Sequence, residues 1–402
     1  MARQPTAQTT VAFWSLIGFL VLVALELLLR LLSFAVPQVQ AVLDPDGRTV
    51  PDSVLGWRPS PAFPGHDAWG FRNSEVPDVA DVLILGDSQA YGRGVSRAAA
   101  LPAQFQRVTG LETYSMAYGG YAAPHYRVLA EEGLELMPST IVLVLYLGND
   151  LFDSFSIVYG NDYFADLRSK DPDVRARIDS LAGGSSISEM STKLAAAPAS
   201  VLFERPSGPL HHLLLAGVYG RARWAFAKWR EGGFEEVDNR FERAAERAYA
   251  NPHSVVVDSP AFKTILTPAY RLLALNLGDA RIEEGLRLTL LFIKEIDSLA
   301  TEAAADLLVL AVPTKEYVVA RVLDRDLWPK GGAFGELVDN ERKVLDYVAT
   351  DLRVNEIEFL DATLVLVESA LHDAQPYFTT EDGHLSEAGH LAVAELVATR
   401  IR

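Results

Sequence analysis

From residue 79 onward, short apolar runs alternate with longer stretches in which apolar residues recur every three or four positions. That alternation is the pattern of a parallel sheet covered by helices. The runs lie at 81–85, 113–116, 141–145, 307–312 and 357–360, and the helical patterns include 102–108, 125–136, 282–304, 336–352 and 386–401. The expected fold is therefore α/β, a three-layer α/β/α sandwich around a central parallel sheet of five strands. The third and fourth runs stand much further apart than the 10–12 residues an ordinary crossover needs. A mainly helical insertion, a cap, is expected over 151–270, between a first core part at 79–150 and a second at 271–402.

The N-terminal pattern differs. Residues 11–37 carry only Glu26 and Arg30 as charges, and the segment is long enough to span a hydrocarbon core. Glu26 and Arg30 are four apart, on one helix face, where they can pair. A cleaved signal peptide would need a shorter apolar region and a better site than Ser33-Phe34-Ala35. A buried soluble helix is the third alternative. The favoured organisation is a cytoplasmic tail (1–10), a transmembrane signal anchor (11–36) and a lead-in (37–78). Arg3 precedes the span while Asp44, Asp46 and Asp52 follow it, which favours the bulk of the chain lying on the extracytoplasmic, periplasmic or extracellular side.

Composition narrows the chemistry. The 402 residues include no cysteine, so disulfides, a cysteine nucleophile and a lipid-bearing cysteine are excluded. A net charge of −17 argues against a nucleic-acid partner. One stretch runs against that acidity: Arg221, Arg223, Lys228 and Arg230 interleave with Trp224, Phe226 and Trp229 within an expected helix at 210–230. It reads either as a membrane-interface helix or as a cap helix packing its aromatics inward. His211-His212 are neighbours pointing apart on that helix, and no metal-ligand cluster or cofactor is expected.

The first apolar run leads directly into Gly86-Asp87-Ser88, placing a serine at the carboxyl end of a strand, where α/β sheets bind ligands. The second ends in Gly119-Gly120 and the third in Gly148-Asn149-Asp150. Glycine backbone N–H groups and an asparagine amide are the donors an oxyanion hole requires. Near the C-terminus, Glu381-Asp382-Gly383-His384 sets acids two and three residues before a histidine, so His384 can serve as a base oriented by a carboxylate. Each motif alone is also an ordinary turn. Their order on successive elements of one sheet is not.

These four blocks resemble the SGNH (GDSL-type) hydrolase family, with the likeness covering roughly 79–150 and 307–402. The resemblance implies a flavodoxin-like sandwich, Ser88 as nucleophile, His384 as base, and an oxyanion hole from the Ser88 N–H, the Gly120 N–H and the Asn149 side chain. Gly120 is preferred to Gly119 by its spacing from the strand. The family's usual acid position, three before the histidine, is Glu381. The Asp-x-His spacing is instead similar to a membrane-anchored subgroup related to alginate O-acetyltransferases, so Asp382 is the expected acid and Glu381 the alternative.

Asp87, Gly119 and Asp150 are further cleft candidates. Lys315 and Glu316, after Pro313-Thr314, either line the cleft or merely start a helix. Leu55-Gly56-Trp57-Arg58 and Trp69-Gly70-Phe71-Arg72-Asn73 resemble the stretch before the Ser block in membrane-anchored bacterial members. The implied activity is ester hydrolysis through an acyl-serine, as an esterase or deacetylase acting on an acylated small molecule, glycan or other cell-envelope ester. Two alternatives stand beside it: an O-acyltransferase working with envelope polysaccharide machinery, and a catalytically silent glycan-binding protein.

Overall fold

The computed structural model describes residues 7–36, 39, 48–182, 215, 218, 237–259, 262–330, 332–372 and 374–401. They form two compact units, each described by itself. The first takes in the N-terminal helix and the lead-in as far as Gly70, save Val54–Gly56, together with Leu215 and Val218. The second holds Val54–Gly56, the chain from Phe71 and the sheet. The basic, Trp-bearing stretch and His211-His212 lie outside the described residues.

In the first unit, helix α1 (Ala7–Ala35) contains a 23-residue apolar span, Phe13–Ala35, long and apolar enough to cross a membrane. Its large side chains, such as Trp14 and Phe34, are exposed. Arg30 and Glu26 pair at 2.8 Å. Strands β1 (Thr49–Asp52) and β2 (Gly56–Pro59) form a two-stranded sheet after it.

The second unit is built on five parallel strands: β3 (Val82–Leu85), β4 (Thr113–Ser115), β5 (Thr140–Tyr146), β8 (Asp306–Val312) and β9 (Glu358–Asp361). Their order is β4-β3-β5-β8-β9, with all pairings parallel. Counted along the core, this is the 2-1-3-4-5 order of doubly wound flavodoxin-like sheets, as the resemblance implies. The strand order reverses between β3 and β5, and the carboxyl ends of those strands flank the crevice where such folds bind ligands. Every residue of β3 and β5 is buried, which is why both read as unbroken apolar runs.

Helices cover both faces. On one, α3 (Leu101–Thr109), α12 (Thr363–Leu371) and α13 (Glu387–Ala398) bury Phe105, Leu366 and Val393 against Val82, Ile84, Val142 and Leu310. On the other, α4 (Ala123–Gly133) meets the Leu83 side chain at Gly133. Helices α5 (Asp150–Gly160) and α9 (Ala280–Glu302) pack together, and α9 also packs on α4. Gly285 of α9 makes that contact with α5: a Cβ there would stand 1.9 Å from the Leu151 carbonyl oxygen. Overpacking a tight site costs about 1–3 kcal/mol. Gly285→Val should therefore lower unfolding free energy by about 3 kcal/mol in denaturant melts, and a loss below about 1 kcal/mol would show that the two helices separate freely.

The described part of the expected cap holds α6 (Pro172–Ala182) and α7 (Val237–Tyr249). It also contains an antiparallel hairpin, β6 (Val255–Asp258) and β7 (Lys263–Leu266). The helical expectation overlooked the hairpin because Val255-Val256-Val257 and Thr264-Ile265-Leu266 are short and lack a two-residue turn signal. Of the remaining helices, α8 (Pro268–Leu275) packs on α11 (Gly332–Val354), and α10 (Lys315–Val322) packs on both α11 and α12.

Candidate active site

The first site element is a very short helix, α2 (Ser88–Tyr91), entered straight from β3. Gly86 makes the sharp entry: a Cβ there would meet Ala90 Cβ at 2.6 Å and Val144 Cβ at 3.0 Å. Asp87 caps α2, its Oδ1 accepting the Gln89 N–H at 2.8 Å. Ser88, at the first turn, is partly exposed. Its Oγ stands 2.8 Å from His384 Nε2 and 3.3 Å from Asp87 Oδ2, so the imidazole is the nearer acceptor for the single hydroxyl proton.

His384 comes from the loop before α13. Its Nδ1 lies 2.5 Å from Asp382 Oδ1, which also accepts the His384 backbone N–H at 3.0 Å. Of the two acids in that loop, Asp382 meets the imidazole; Glu381 makes no hydrogen bond to it among the described residues. Burial raises the Asp382 pKa, but the hydrogen bonds and charge of His384 outweigh it, holding the carboxylate well below its ordinary range. An ionised Asp382 fixes the tautomer with a proton on Nδ1 and leaves Nε2 free to accept from Ser88.

On the facing side, the turn Tyr118–Tyr121 is closed by a Tyr121 N–H bond to the Tyr118 carbonyl, with Gly120 at φ +85°. Gly119 faces Ser88, where a Cβ would sit 3.5 Å from Ser88 Cβ. Among the described residues, the N–H groups of Ser88, Gly119 and Gly120 donate to no protein acceptor. Asn149 caps α5. Its Nδ2 donates to Asp153 Oδ2 at 2.6 Å, and its side chain also hydrogen-bonds the Asp87 carboxylate. Asp153 was not anticipated, although its position four residues after Asn149 on a helix is a readable signal. Burial pushes the Asp153 pKa up to about 7, against the Asn149 hydrogen bond.

Three cleft candidates require correction. Asp150 is fully buried and turned away: its Oδ2 accepts from the Tyr146 N–H at 3.0 Å and the Tyr126 hydroxyl at 3.3 Å, and burial drives its pKa up. Lys315 and Glu316 are also buried, in the first turn of α10 behind the Thr314 cap. Lys315 Nζ donates to the backbone carbonyls of Phe378 (3.3 Å), Thr380 (2.5 Å) and Asp382 (3.1 Å), so it holds the histidine loop from beneath. Burial pulls its pKa down to about 8, opposed by Glu316 and Asp382. Glu316 Oε1 accepts the Thr267 N–H at 2.8 Å.

Gln89 was missed. Its buried amide donates from Nε2 to the Gly383 carbonyl (3.1 Å) and accepts at Oε1 from the Leu385 N–H (3.0 Å), gripping the loop on both sides of His384. Gln89→Leu strands a carbonyl and an N–H beside the imidazole. The expected loss is about 10- to 100-fold in kcat, with KM little changed, because a displacement near 1 Å suffices for such an effect. A proportional rise in KM with kcat intact would show that Gln89 serves substrate binding instead.

The lead-in motif has a structural role. Arg72 donates to the carbonyls of Tyr91, Gly92 and Val95 at 2.9–3.0 Å, fastening the turn after α2. Asn73 pairs both ways with the Ser115 backbone at the edge of the sheet.

His390, one turn into α13, is fully buried, and neither ring nitrogen has a partner among the described residues. Burial lowers its pKa from 6.5 to about 3, with His384 and Arg72 adding to the effect. The folded protein thus keeps this imidazole neutral while the unfolded chain protonates it below pH 6.5, so stability is lost as pH falls through that window. His390→Leu should flatten the fall in unfolding free energy between pH 7 and pH 5 by about 1–2 kcal/mol. Parallel falls in the two proteins would assign the acid limb to other groups.

A doubly wound α/β domain with a hydrogen-bonded serine, histidine and aspartate at its switch point is thus the class the fold and site define. No family model and no curated protein matches the chain. Similar solved structures include a GDSL-like lipase from Bacteroides thetaiotaomicron VPI-5482, at 9% identity and a TM-score of 0.33 over 79% of this chain and 85% of that one. Another is phospholipase A1 from Streptomyces albidoflavus NA297, at 9% identity and a TM-score of 0.33 over 79% of this chain and 99% of that one.

Proposed function

We propose that the chain is a serine-dependent ester hydrolase of the SGNH type, held to a membrane by α1 with its catalytic domain outside the cytoplasm. The observation that carries the reading is the hydrogen-bonded series Ser88 Oγ, His384 Nε2, His384 Nδ1, Asp382 Oδ1, set beside backbone N–H groups without protein acceptors. His384 takes the Ser88 proton, Ser88 attacks the ester carbonyl, and Asp382 stabilises the imidazolium. Charge developing on the carbonyl oxygen is met by the N–H groups of Ser88 and Gly120. Asn149 joins them by turning the N–H that faces Asp87 onto that oxygen, while Asp153 keeps its grip. His384 then returns the proton to the departing alcohol, and water, deprotonated by the same imidazole, releases the acid.

The substrate class that suits an anchored, extracytoplasmic enzyme is an acylated glycan or another cell-envelope ester. Full-length protein in detergent micelles, treated with a fluorophosphonate and digested, should carry the adduct on Ser88 and lose 4-nitrophenyl acetate hydrolysis in step with labelling. Labelling elsewhere, or full activity after complete labelling of Ser88, would overturn the reading.

A further inference from the structure

The cations around the histidine loop are unequally occupied. Lys315 is spent on three carbonyls, and Arg72 on three others. Arg271, from α8, lies against the loop at Gly383: a Cβ on that glycine would come within 2.2 Å of its terminal nitrogen Nη2. The missing side chain at Gly383 is what admits the guanidinium beside His384. Yet Arg271 makes no hydrogen bond and no ion pair among the described residues. Its Nε is sealed from solvent without a partner, so the partial exposure of the residue belongs to the rest of the side chain.

The nearby carboxylates of Glu316 and Asp382 favour its charge from a distance without binding it, and Glu316 Oε2 is itself buried without a partner. Asp382 is committed to His384, and Glu316 gives Oε1 to the Thr267 N–H, neither within ion-pair distance of Arg271. Tyr146 packs its ring under the guanidinium, 5.7 Å from centroid to Cζ, and its hydroxyl is likewise buried without a partner. The Tyr270 ring lies 5.1 Å from the same Cζ. A guanidinium has five donors in a planar fork suited to two-point binding of a carboxylate or phosphate. Beside two aromatic rings and against Gly383, the residue before His384, the guanidinium keeps its donors without protein acceptors among the described residues.

Resting on the ester-hydrolase reading, we propose that Arg271 is a specificity-determining residue, the anchor of a subsite that binds an anionic carboxylate or phosphate group carried by the ester substrate. The substrate would then be an acidic ester, and the ester bond would be aligned on Ser88 by a charge at its alcohol or acyl portion.

The test compares 4-acetoxybenzoate with its methyl ester, and 4-acetoxyphenyl phosphate with its dimethyl ester, on the full-length enzyme. The anionic-to-neutral ratio of kcat/KM should fall about 30-fold in Arg271→Met, in line with loss of hydrogen bonds to a charged group, whatever the variant's absolute rate. Arg271→Lys should restore part of the ratio, and the better anion of the two identifies the group. Equal ratios in wild type and Arg271→Met for both pairs would overturn the proposal. Should the variant not fold, the wild-type enzyme decides: competitive inhibition by 4-hydroxybenzoate or inorganic phosphate supports the subsite, and inhibition by neither removes it. Dialysis of the same two anions against Ser88→Ala protein separates the inference from the hydrolase reading. Binding without any Ser88-dependent turnover keeps the subsite and discards the hydrolase.

Discussion

Ser88→Ala should lower kcat/KM for 4-nitrophenyl acetate by at least about 10⁴-fold, the scale on which removal of a serine nucleophile disables a triad. The fold should be indifferent to the change. Asp87, not Ser88, caps α2, and the Ser88 side chain is partly exposed; buried Asp87 loses only a 3.3 Å contact at Oδ2 and keeps the Gln89 N–H on Oδ1. Thermal melts of the two proteins should coincide within the spread usual for surface substitutions. The backbone N–H of residue 88 also survives, so any residual rate above water reports the oxyanion donors alone. If the variant keeps more than a tenth of the wild-type rate, Ser88 is not the nucleophile.

Asp382→Asn should cost about 10³–10⁴-fold in kcat, while Glu381→Gln should stay within about threefold. An asparagine can offer its amide to Nδ1 and so favour the tautomer that carries its proton on Nε2. That nitrogen, 2.8 Å from Ser88 Oγ, would then face the hydroxyl as a donor and be unable to take its proton. The oxygen of the new amide can still accept the His384 backbone N–H, now bound by Asp382 at 3.0 Å, so the loop itself has reason to persist. Raising the pH does not rescue the variant, because the lost group is a carboxylate already ionised throughout the working range. A larger loss in Glu381→Gln than in Asp382→Asn would reverse the assignment.

Much of this arrangement is legible in the sequence because strands buried on both faces leave unbroken apolar runs. The run at 141–145 becomes β5 (Thr140–Tyr146), longer by one residue at each end, and the run at 307–312 becomes β8 (Asp306–Val312), longer only at its polar start. The serine, the histidine and both acids could be named because motif and spacing are local. Gln89 and Lys315 could not be assigned their roles, since their partners are backbone atoms of a loop 294 and 63–67 residues away, which no local pattern reveals. Asp150 misled for the opposite reason. It follows Asn149 directly, but one residue along a helix turns a side chain by about 100°, here into the core. The hairpin β6–β7 escaped because its value lies in tertiary contacts: Ile265 donates its N–H to the Thr379 carbonyl of the histidine loop.

That fastening of the histidine loop has a consequence for biosynthesis. Its backbone is held by Gln89, by the β6–β7 hairpin and by Lys315, three segments far apart in the chain. A growing polypeptide presents Ser88 long before the loop that carries His384, so a product clipped before Phe378 would hold the proposed nucleophile without its proposed base.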